Sequence, residues 1–343
     1  MLNLQVENEA PVVGRQVSPA AIFDTLQRYQ QTMALKGAID LELFTHIAKG
    51  VVTPGALALS CHASERGIRI LCDFMTILGF LRKTDEGYRL TPESAVFLDK
   101  ASPAYMGSIT GFLSSERTLA RFSDVAAIVR RGGPEVSSMQ PESDWWVDFA
   151  EHMGPMVMMV AQMAANLLAQ PGRRVRVLDI AAGHGLFGIS VARQNRAAEI
   201  TALDWKNVLE VAQANAKRMG VADRFHTIAG DVFEVDLGGE YDLVLLPNFL
   251  HHFDAPTNIA LLKKIRASLR PTGCVGVIDF VPNEDRISPP TAAAFSLVML
   301  AATDRGDTYT FRELQQMFGA AGFGESRMER LEPTPFSLVL ASN

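Results

Sequence analysis

Apolar residues recur at helical spacing through the first hundred residues. After the cap and helix-starting proline of Ser18-Pro19, apolar positions repeat every three or four residues up to Ile39 and predict a long first helix. A second helix ends near Gly50. The segment from Thr53 to Leu90 then has the pattern of helix, turn, helix and two-stranded hairpin. This order predicts a winged-helix domain.

The hydrophobic pattern changes near Pro171-Gly172. Residues 102–170 are mostly helical, whereas short apolar runs alternate with helical segments after the boundary, and this alternation predicts a parallel sheet covered on both faces. Two last strands have no helix between them and are expected to pair antiparallel at the sheet edge. The predicted strands are 175–180, 199–204, 225–229, 242–247, 274–281, 325–331 and 335–341.

These patterns give a four-part organisation. Residues 1–17 carry no apolar segment and are expected to form a disordered arm, not a signal peptide. A winged-helix domain (18–101), a helical linker that contributes to a substrate pocket (102–171) and an α/β domain (172–343) follow. The chain of 343 residues has length enough for two domains.

Composition narrows the class of protein. Hydrophobic residues make up 48% and charged residues 20%, which is an ordinary globular balance, and the net charge of −6 argues against a nucleic-acid partner. The longest apolar run, Met156–Ala169, is too short and too interrupted for a membrane span. Cys61, Cys72 and Cys274 lack metal-ligand spacing and are expected to be buried free thiols, which fits a cytoplasmic location.

The main chemical signal is a glycine-rich turn between a strand and a helix. Asp179 ends the strand 175–180, and Gly183, Gly185 and Gly188 then satisfy the spacing G-x-G-x-x-G. Glycine is needed where the backbone turns tightly and a ligand lies against it. The pattern therefore predicts a cofactor site at the carboxyl end of the first strand.

Three acidic residues distinguish between possible cofactors. Asp179, Asp204 and Asp231 follow successive strands, in the crevice where parallel sheets bind ligands. Asp204 can hold a ribose in either a dinucleotide or an S-adenosylmethionine site, but Asp179 can face a cationic ligand and Asp231 can accept from an adenine amino group. These features favour S-adenosylmethionine, with a dinucleotide site or a nucleotide-free α/β domain as alternatives.

The chain resembles the class I methyltransferases, and among them the dimeric small-molecule O-methyltransferases. That family includes hydroxyindole, caffeate and bacterial antibiotic-pathway enzymes. The resemblance extends from about residue 18 to 341 and is carried by the glycine turn and by the segment LHHFD at 250–254. It implies an α/β fold with a Rossmann-like seven-stranded catalytic domain, preceded by a mainly helical winged-helix dimerisation domain, and it implies a homodimer.

The resemblance also implies site residues, with departures. His251 takes the position of the family's catalytic histidine, which makes it the expected general base for a hydroxyl acceptor. Thr308 stands where the family has a glutamate that orients this histidine, and Asp307 is one position away. Ala181 and Ala182 replace two of the family's glycines. The departure at Thr308 leaves methyl transfer to carbon or sulfur open as alternatives to oxygen.

The remaining site predictions concern the walls of the cleft. The cofactor set comprises Asp179, Gly183, Gly185, Asp204, Trp205, Asp231, Val232 and Asn248. The set expected to line the pocket for a small-molecule methyl acceptor comprises Phe149, Met153, Met156, His252, Phe295 and Met299. Apolar side chains of this kind are more often plain core. His184 is expected to make a loop hydrogen bond, Asp254 to cap a helix, and no metal is implied.

A winged helix also raises the possibility of DNA regulation. Its supposed recognition helix is strongly apolar, from Ile68 to Leu78, which favours burial in a subunit interface over insertion into a groove. A non-catalytic protein that binds the cofactor is the other remote alternative.

Overall fold

The computed structural model describes residues 17–137 and 140–343, so the predicted N-terminal arm, apart from its last residue, lies outside the described residues. The chain divides into two compact units, one ending at Pro103 and one comprising Ala104–Asn343. The predicted linker, 102–171, therefore shares almost its whole length with the unit that contains the large sheet.

The first unit has the predicted order of helix, turn, helix and hairpin. Ser64 caps the helix Glu65–Ile77 by accepting a hydrogen bond from the Gly67 N–H. Gly79, with φ +84°, ends the helical segment. Its elements are α1 (Ala20–Asp40), α2 (Leu43–Ala48), α3 (Pro54–Ser60), α4 (Glu65–Ile77), the antiparallel strands β1 (Leu81–Thr84) and β2 (Gly87–Leu90), and α5 (Pro92–Phe97).

The apolar side chains of α4 are divided between the core of the unit and its surface. Ile68, Cys72 and Met75 are buried in the unit's own core. Ile70 and Ile77 remain exposed on the same helix. The prediction that the whole apolar run lies in a subunit interface is therefore wrong for its core-facing side, because that side closes the core of its own unit.

The second unit begins with helices. These are α6 (Thr110–Leu113), α7 (Glu116–Ala120), α8 (Val125–Arg131), α9 (Asp144–His152) and α10 (Gly154–Leu168). Helices then alternate with strands as α11 (Leu186–Gln194), α12 (Lys206–Arg218), α13 (Ala255–Ser268), α14 (Pro290–Ala302) and α15 (Phe311–Ala321). Asp254 caps α13 by accepting from the Thr257 N–H, which confirms its predicted structural role.

The sheet has seven strands in the order β5-β4-β3-β6-β7-β9-β8. Five strands run parallel, and β9 pairs antiparallel with both β7 and β8 at one edge, as predicted. The order reverses between β3 and β6, so a ligand crevice is expected where these strands end. The strands are β3 (Val175–Ile180), β4 (Ala198–Asp204), β5 (Phe225–Ala229), β6 (Tyr241–Pro247), β7 (Leu269–Asp279), β8 (Ser326–Arg330) and β9 (Ser337–Ser342).

The largest departure from the predicted elements is β7. It begins at Leu269 instead of residue 274, because Leu269 pairs with Tyr241 before a register shift accommodates the next residues. It also ends at Asp279 and not at 281. This earlier end places Asp279 at the crevice edge of the sheet.

Two further predictions concern location in the cell. No helix in the described part of the chain has both the length and the apolarity needed to cross a membrane. The cysteines are free, but only Cys72 is buried, whereas Cys61 and Cys274 are half-buried, so the expectation of three buried thiols is wrong for these two.

Candidate active site

A cavity of about 380 Å³ opens at the carboxyl ends of the parallel strands, within the second unit. Its walls are mainly aromatic and aliphatic, with a few charged and polar groups. One end is formed by the glycine turn and the loops after β4, β5 and β6, and the other by residues of α6, α7, α9, α10 and α14 and of the segments beside them. Concave apolar sites with few polar groups are typical of small-molecule binding.

The glycine turn needs its backbone freedom at two of the predicted positions. Gly183 and Gly185 have φ of +56° and +73°. A Cβ on Gly185 would lie 3.0 Å from Ala212 and 3.2 Å from Phe225, so packing also excludes a side chain there. Gly183 lines the cavity, whereas Gly185 begins α11 behind it.

Asp204 joins the glycine turn to the next strand. Its Oδ2 accepts a hydrogen bond from the Gly183 N–H at 2.8 Å, and its Oδ1 accepts from the Trp205 N–H at 2.7 Å. Asp204 and Trp205 both line the cavity. Burial raises the pKa of Asp204 to about 6. A carboxylate fixed in this way can accept further hydrogen bonds from a ligand.

Asp179 lies beneath the turn and does not line the cavity. Its Oδ2 accepts from the Gly188 N–H at 2.9 Å, and a Cβ on Gly188 would lie 2.9 Å from the same oxygen. Its Oδ1 is buried without a partner among the described residues. Burial raises the pKa of Asp179 to about 7. Its direct contact is therefore with the turn's own backbone.

The other predicted cofactor residues lie along the cavity wall. Asp231, Val232 and Asn248 all line it. The Oδ1 of Asp231 accepts from the Phe233 N–H at 2.9 Å, which holds the loop after β5. Asn248 adopts φ +52° directly after β6, and its buried Oδ1 has no partner in the described structure. A buried acceptor without a donor fits a site that a ligand completes.

A histidine–aspartate pair lies between the two ends of the cavity. His251 follows β6 in a short 3₁₀ turn, and its Nδ1 is 2.6 Å from the Oδ1 of Asp279 at the end of β7. The two side chains are 3% and 5% exposed, respectively. Asp279 Oδ1 also accepts from the Phe280 N–H at 2.8 Å. Since a carboxylate can only accept, Nδ1 carries a proton and Nε2 keeps its lone pair in the neutral ring.

Asp279 is the residue that sequence reasoning missed. The position predicted from the resemblance for an orienting acid holds Thr308, whose hydroxyl bonds to that of Ser296. Asp307 is about half-exposed and pairs with Arg286 at 3.3 Å. Neither side chain forms a hydrogen bond or ion pair with His251. Because the predicted strand ran from 274 to 281, Asp279 did not stand out as an acid at a strand end.

The neighbouring histidines have different surroundings. His252 lines the cavity, its ring centroid lies 4.3 Å from that of His251, and its Nδ1 is 3.2 Å from the Phe249 carbonyl. Burial lowers the pKa of His252 well below its usual value. His184 accepts a hydrogen bond from the Leu186 N–H, as predicted, and burial lowers its pKa to about 4. Both rings are therefore neutral near pH 7.

The predicted apolar lining residues all border the cavity. Phe149 lies in α9, Met156 lies in α10, and Met153 is the residue between these helices. Phe295 and Met299 come from α14, and the Phe295 ring lies 5.0 Å from His251. Further lining aromatics include Phe112, Phe122, Trp145, Trp146, Phe280 and Phe336.

Comparisons with known proteins agree with this geometry. A family model described as an O-methyltransferase domain matches residues 147–324, and another described as an O-methyltransferase dimerisation domain matches residues 23–100. A solved structure from Nostoc punctiforme PCC 73102, described as a candidate O-methyltransferase, is similar with a TM-score of 0.92 and 50% identity, covering 96% of this chain and 100% of that one.

Two named enzymes are more distant relatives. The 3-hydroxy-5-methyl-1-naphthoate 3-O-methyltransferase of Streptomyces sahachiroi is 27% identical over 318 residues, which is 91% of each chain. Human N-acetylserotonin methyltransferase, solved with S-adenosylmethionine, has a TM-score of 0.83 at 22% identity over 96% of this chain and 99% of that one, which shows a shared fold.

Proposed function

This chain belongs to the O-methyltransferase family, and from that premise we propose that His251 is the general base for methyl transfer to an aromatic hydroxyl. The protein is an S-adenosylmethionine-dependent O-methyltransferase of a small molecule. The observation that carries the proposal is the buried pair of His251 and Asp279, whose 2.6 Å contact leaves Nε2 free to accept a proton.

The cofactor supplies an activated methyl group on a sulfonium, so the protein's main work is to position the acceptor and exclude water. An aromatic hydroxyl has a pKa of about 10 and must lose its proton during transfer. The Nε2 atom of His251 accepts that proton, and the Asp279 carboxylate stabilises the imidazolium that results. The aromatic walls keep water away from the reacting oxygen.

The residues at the glycine-turn end fit the cofactor. Asp204 is placed to accept hydrogen bonds from ribose hydroxyls, and Asp231 to accept from the adenine amino group, with Trp205 and Val232 as apolar neighbours. The buried Oδ1 of Asn248 lacks a donor, which an ammonium group would supply. Asp179, with Gly183 and Gly185, holds the shape of the turn.

The acceptor end supports an aromatic substrate. Its walls include Phe149, Met153 and Met156 on one side and Phe295 and Met299 on the other. Flat apolar walls of this kind bind ring systems by stacking and edge contacts. The Streptomyces sahachiroi relative is named for a hydroxylated naphthoate, which is a substrate of this shape.

The chain carries the family's dimerisation domain, and we extend this to a homodimer. Ile22, Phe23, Leu26 and Tyr29 on α1 are each more than half exposed in the single chain. A row of exposed apolar side chains is a liability unless another surface covers it. A second copy of the chain is the proposed cover.

Titration calorimetry with S-adenosylmethionine and, separately, NAD tests the cofactor assignment. Binding of the first alone is expected. Release of S-adenosylhomocysteine is then measured with naphthols and hydroxybenzoates, and the product is examined by NMR for an O-methyl signal. Binding without turnover on any hydroxyl, thiol or carbon acceptor would contradict the enzymatic proposal.

A further inference from the structure

One cation borders the acceptor end of the cavity. Arg121 directly follows α7, and its guanidinium carbon lies 3.5 Å from the centroid of the Trp145 ring, in stacking contact. Arg121 makes no hydrogen bond or ion pair with any residue in the ranges 17–137 and 140–343. Its neighbours in the wall are instead apolar or aromatic, such as Phe112 and Phe122.

A partly buried guanidinium without a carboxylate is unusual. Arg has five N–H donors, and removing them from water without acceptors is costly. The face of Trp145 compensates the charge in part, but it accepts none of the in-plane hydrogen bonds. Burial, together with the charge of Arg117, lowers the pKa of Arg121 to about 10, so the group is still cationic at neutral pH.

The other ionisable side chains of the cavity wall do not offset the positive charge of Arg121. The carboxylates that line the cavity, Asp204 and Asp231, belong to the cofactor end. His184 and His252 are neutral at pH 7 because burial lowers their pKa values. Arg121 is therefore the fixed positive charge of the described acceptor wall, and an anionic group on the acceptor is attracted to it.

The position of Arg121 relative to the base also matters. Arg121, His251 and His252 all line the same cavity. The His252 ring lies 4.3 Å from that of His251. A compact aromatic acid can thus direct a hydroxyl towards His251 while its carboxylate faces Arg121.

We propose that the acceptor is an aromatic hydroxy acid, and that Arg121 determines this specificity by pairing with the acceptor's carboxylate. This inference rests on the proposed function, because it assigns a substrate class to the same cavity. The planar guanidinium, held on Trp145, presents an edge with two parallel N–H donors, which can form a bidentate pair with a carboxylate. The stacked ring also leaves the edge of the guanidinium available for those hydrogen bonds.

Matched substrates test the pairing. Each hydroxynaphthoic and hydroxybenzoic acid isomer is compared with its own methyl ester by S-adenosylhomocysteine release, with wild-type enzyme and with Arg121→Met. The wild type is expected to prefer the acid by about 10- to 100-fold in kcat/KM, which is the range for a hydrogen bond to a charged group. Arg121→Met is expected to lose that preference and keep turnover of the ester.

Arg117→Met provides the matched control. Arg117 also faces Trp145, at 5.1 Å, but it is exposed, donates to Ser143 and does not line the cavity. Its replacement is expected to leave the acid preference within about threefold, well under the effect of one charge-assisted hydrogen bond. Arg121→Lys keeps the positive charge but not the bidentate donor geometry, so it is expected to retain only part of the preference for the acid.

The outcomes separate this inference from the enzyme assignment. Equal wild-type turnover of acid and ester overturns the carboxylate pairing while methyl transfer stands. An Arg121→Met loss that is equal for acid and ester, with a lowered melting temperature, also overturns it and reduces Arg121 to a packing role. Failure of acids and esters alike, with S-adenosylmethionine bound, counts instead against the proposed function.

Discussion

The two ends of the cavity are built in different ways. At the glycine-turn end, backbone N–H groups and carboxylates hold one another: Asp204 accepts from Gly183 and Trp205, and Asp179 accepts from Gly188. At the acceptor end, aromatic side chains from separate helices form the wall, and the charged group, Arg121, has no partner in the described chain.

In the proposed function, one end binds the cofactor and the other binds the methyl acceptor, and the difference follows from this. The cofactor is always the same molecule, so its end can use rigid backbone geometry set by consecutive residues. The acceptor end depends on side chains whose replacement changes the shape of the wall without disturbing any strand. His251 and Asp279 lie between the two: His251 is in the 3₁₀ turn shortly after β6, and Asp279 ends β7.

The largest effect is expected when the hydrogen bond between His251 and Asp279 is altered. Asp279→Asn is expected to lower kcat by about 10²- to 10³-fold, because an amide nitrogen can donate to Nδ1 and move the histidine proton to Nε2. Affinity for S-adenosylmethionine, measured by calorimetry, is expected to stay within about twofold, because that range is under 0.5 kcal/mol.

Two comparisons make that result specific. Asp307→Asn changes a half-exposed acid that pairs with Arg286, and it is expected to leave kcat unchanged. More acidic phenols need less help from a base, so they should recover rate in Asp279→Asn. A uniform loss over all phenols would show that Asp279 supports the fold and does not position the base.

A smaller effect is expected at the cofactor end. Burial raises the pKa of Asp204 to about 6, above its usual value near 3.8, so the carboxylate form that accepts hydrogen bonds is lost as pH falls through about 6. Wild-type affinity for S-adenosylmethionine is therefore expected to be weaker at pH 5 than at pH 7.5, as measured by calorimetry.

Asp204→Asn isolates this group from Asp179, which also titrates near neutral pH because it is buried. The variant is expected to bind about tenfold more weakly at pH 7.5, as for a lost charged acceptor, and to lose most of the pH dependence. A pH dependence that is unchanged in Asp204→Asn would assign it to another group.

The smallest expected effect concerns a departure in the turn itself. Ala181 adopts φ +50°, a left-handed conformation that costs a residue with a Cβ about 1 kcal/mol. Ala181→Gly is expected to raise the free energy of unfolding by less than about 1 kcal/mol, since glycine also adds freedom to the unfolded chain. Urea unfolding measures this, and a clear loss of stability would show that the Cβ packs usefully against the adjoining core.

Local patterns predicted the fold and the glycine turn well. Winged helix, parallel strands and antiparallel edge each depend on short-range periodicity, and the turn that holds Gly183 and Gly185 is contiguous in sequence. The sequence also placed His251 correctly at the end of a strand. These features need no knowledge of which distant segments meet.

The rest depends on tertiary contacts. Asp279 lies 28 residues after His251, and only the pairing of β6 with β7 brings them together. The predicted strand 274–281 placed this acid inside a strand, where it could not be recognised as a site residue. Arg121 lay in a helical stretch without any motif, and its missing partner is visible only in the folded chain.

The parallel ladder between β6 and β7 pairs Pro247 with Ile278. Pro247 is four residues before His251, and Ile278 is one residue before Asp279. Sheet hydrogen bonds thus fix the strand ends that carry the proposed proton-accepting pair, whereas residues of α6, α7 and α9 supply much of the surface proposed to select the acceptor. Reaction and choice of substrate are therefore separately replaceable parts. A lineage, or an engineer, can exchange those helices for others and inherit a working base.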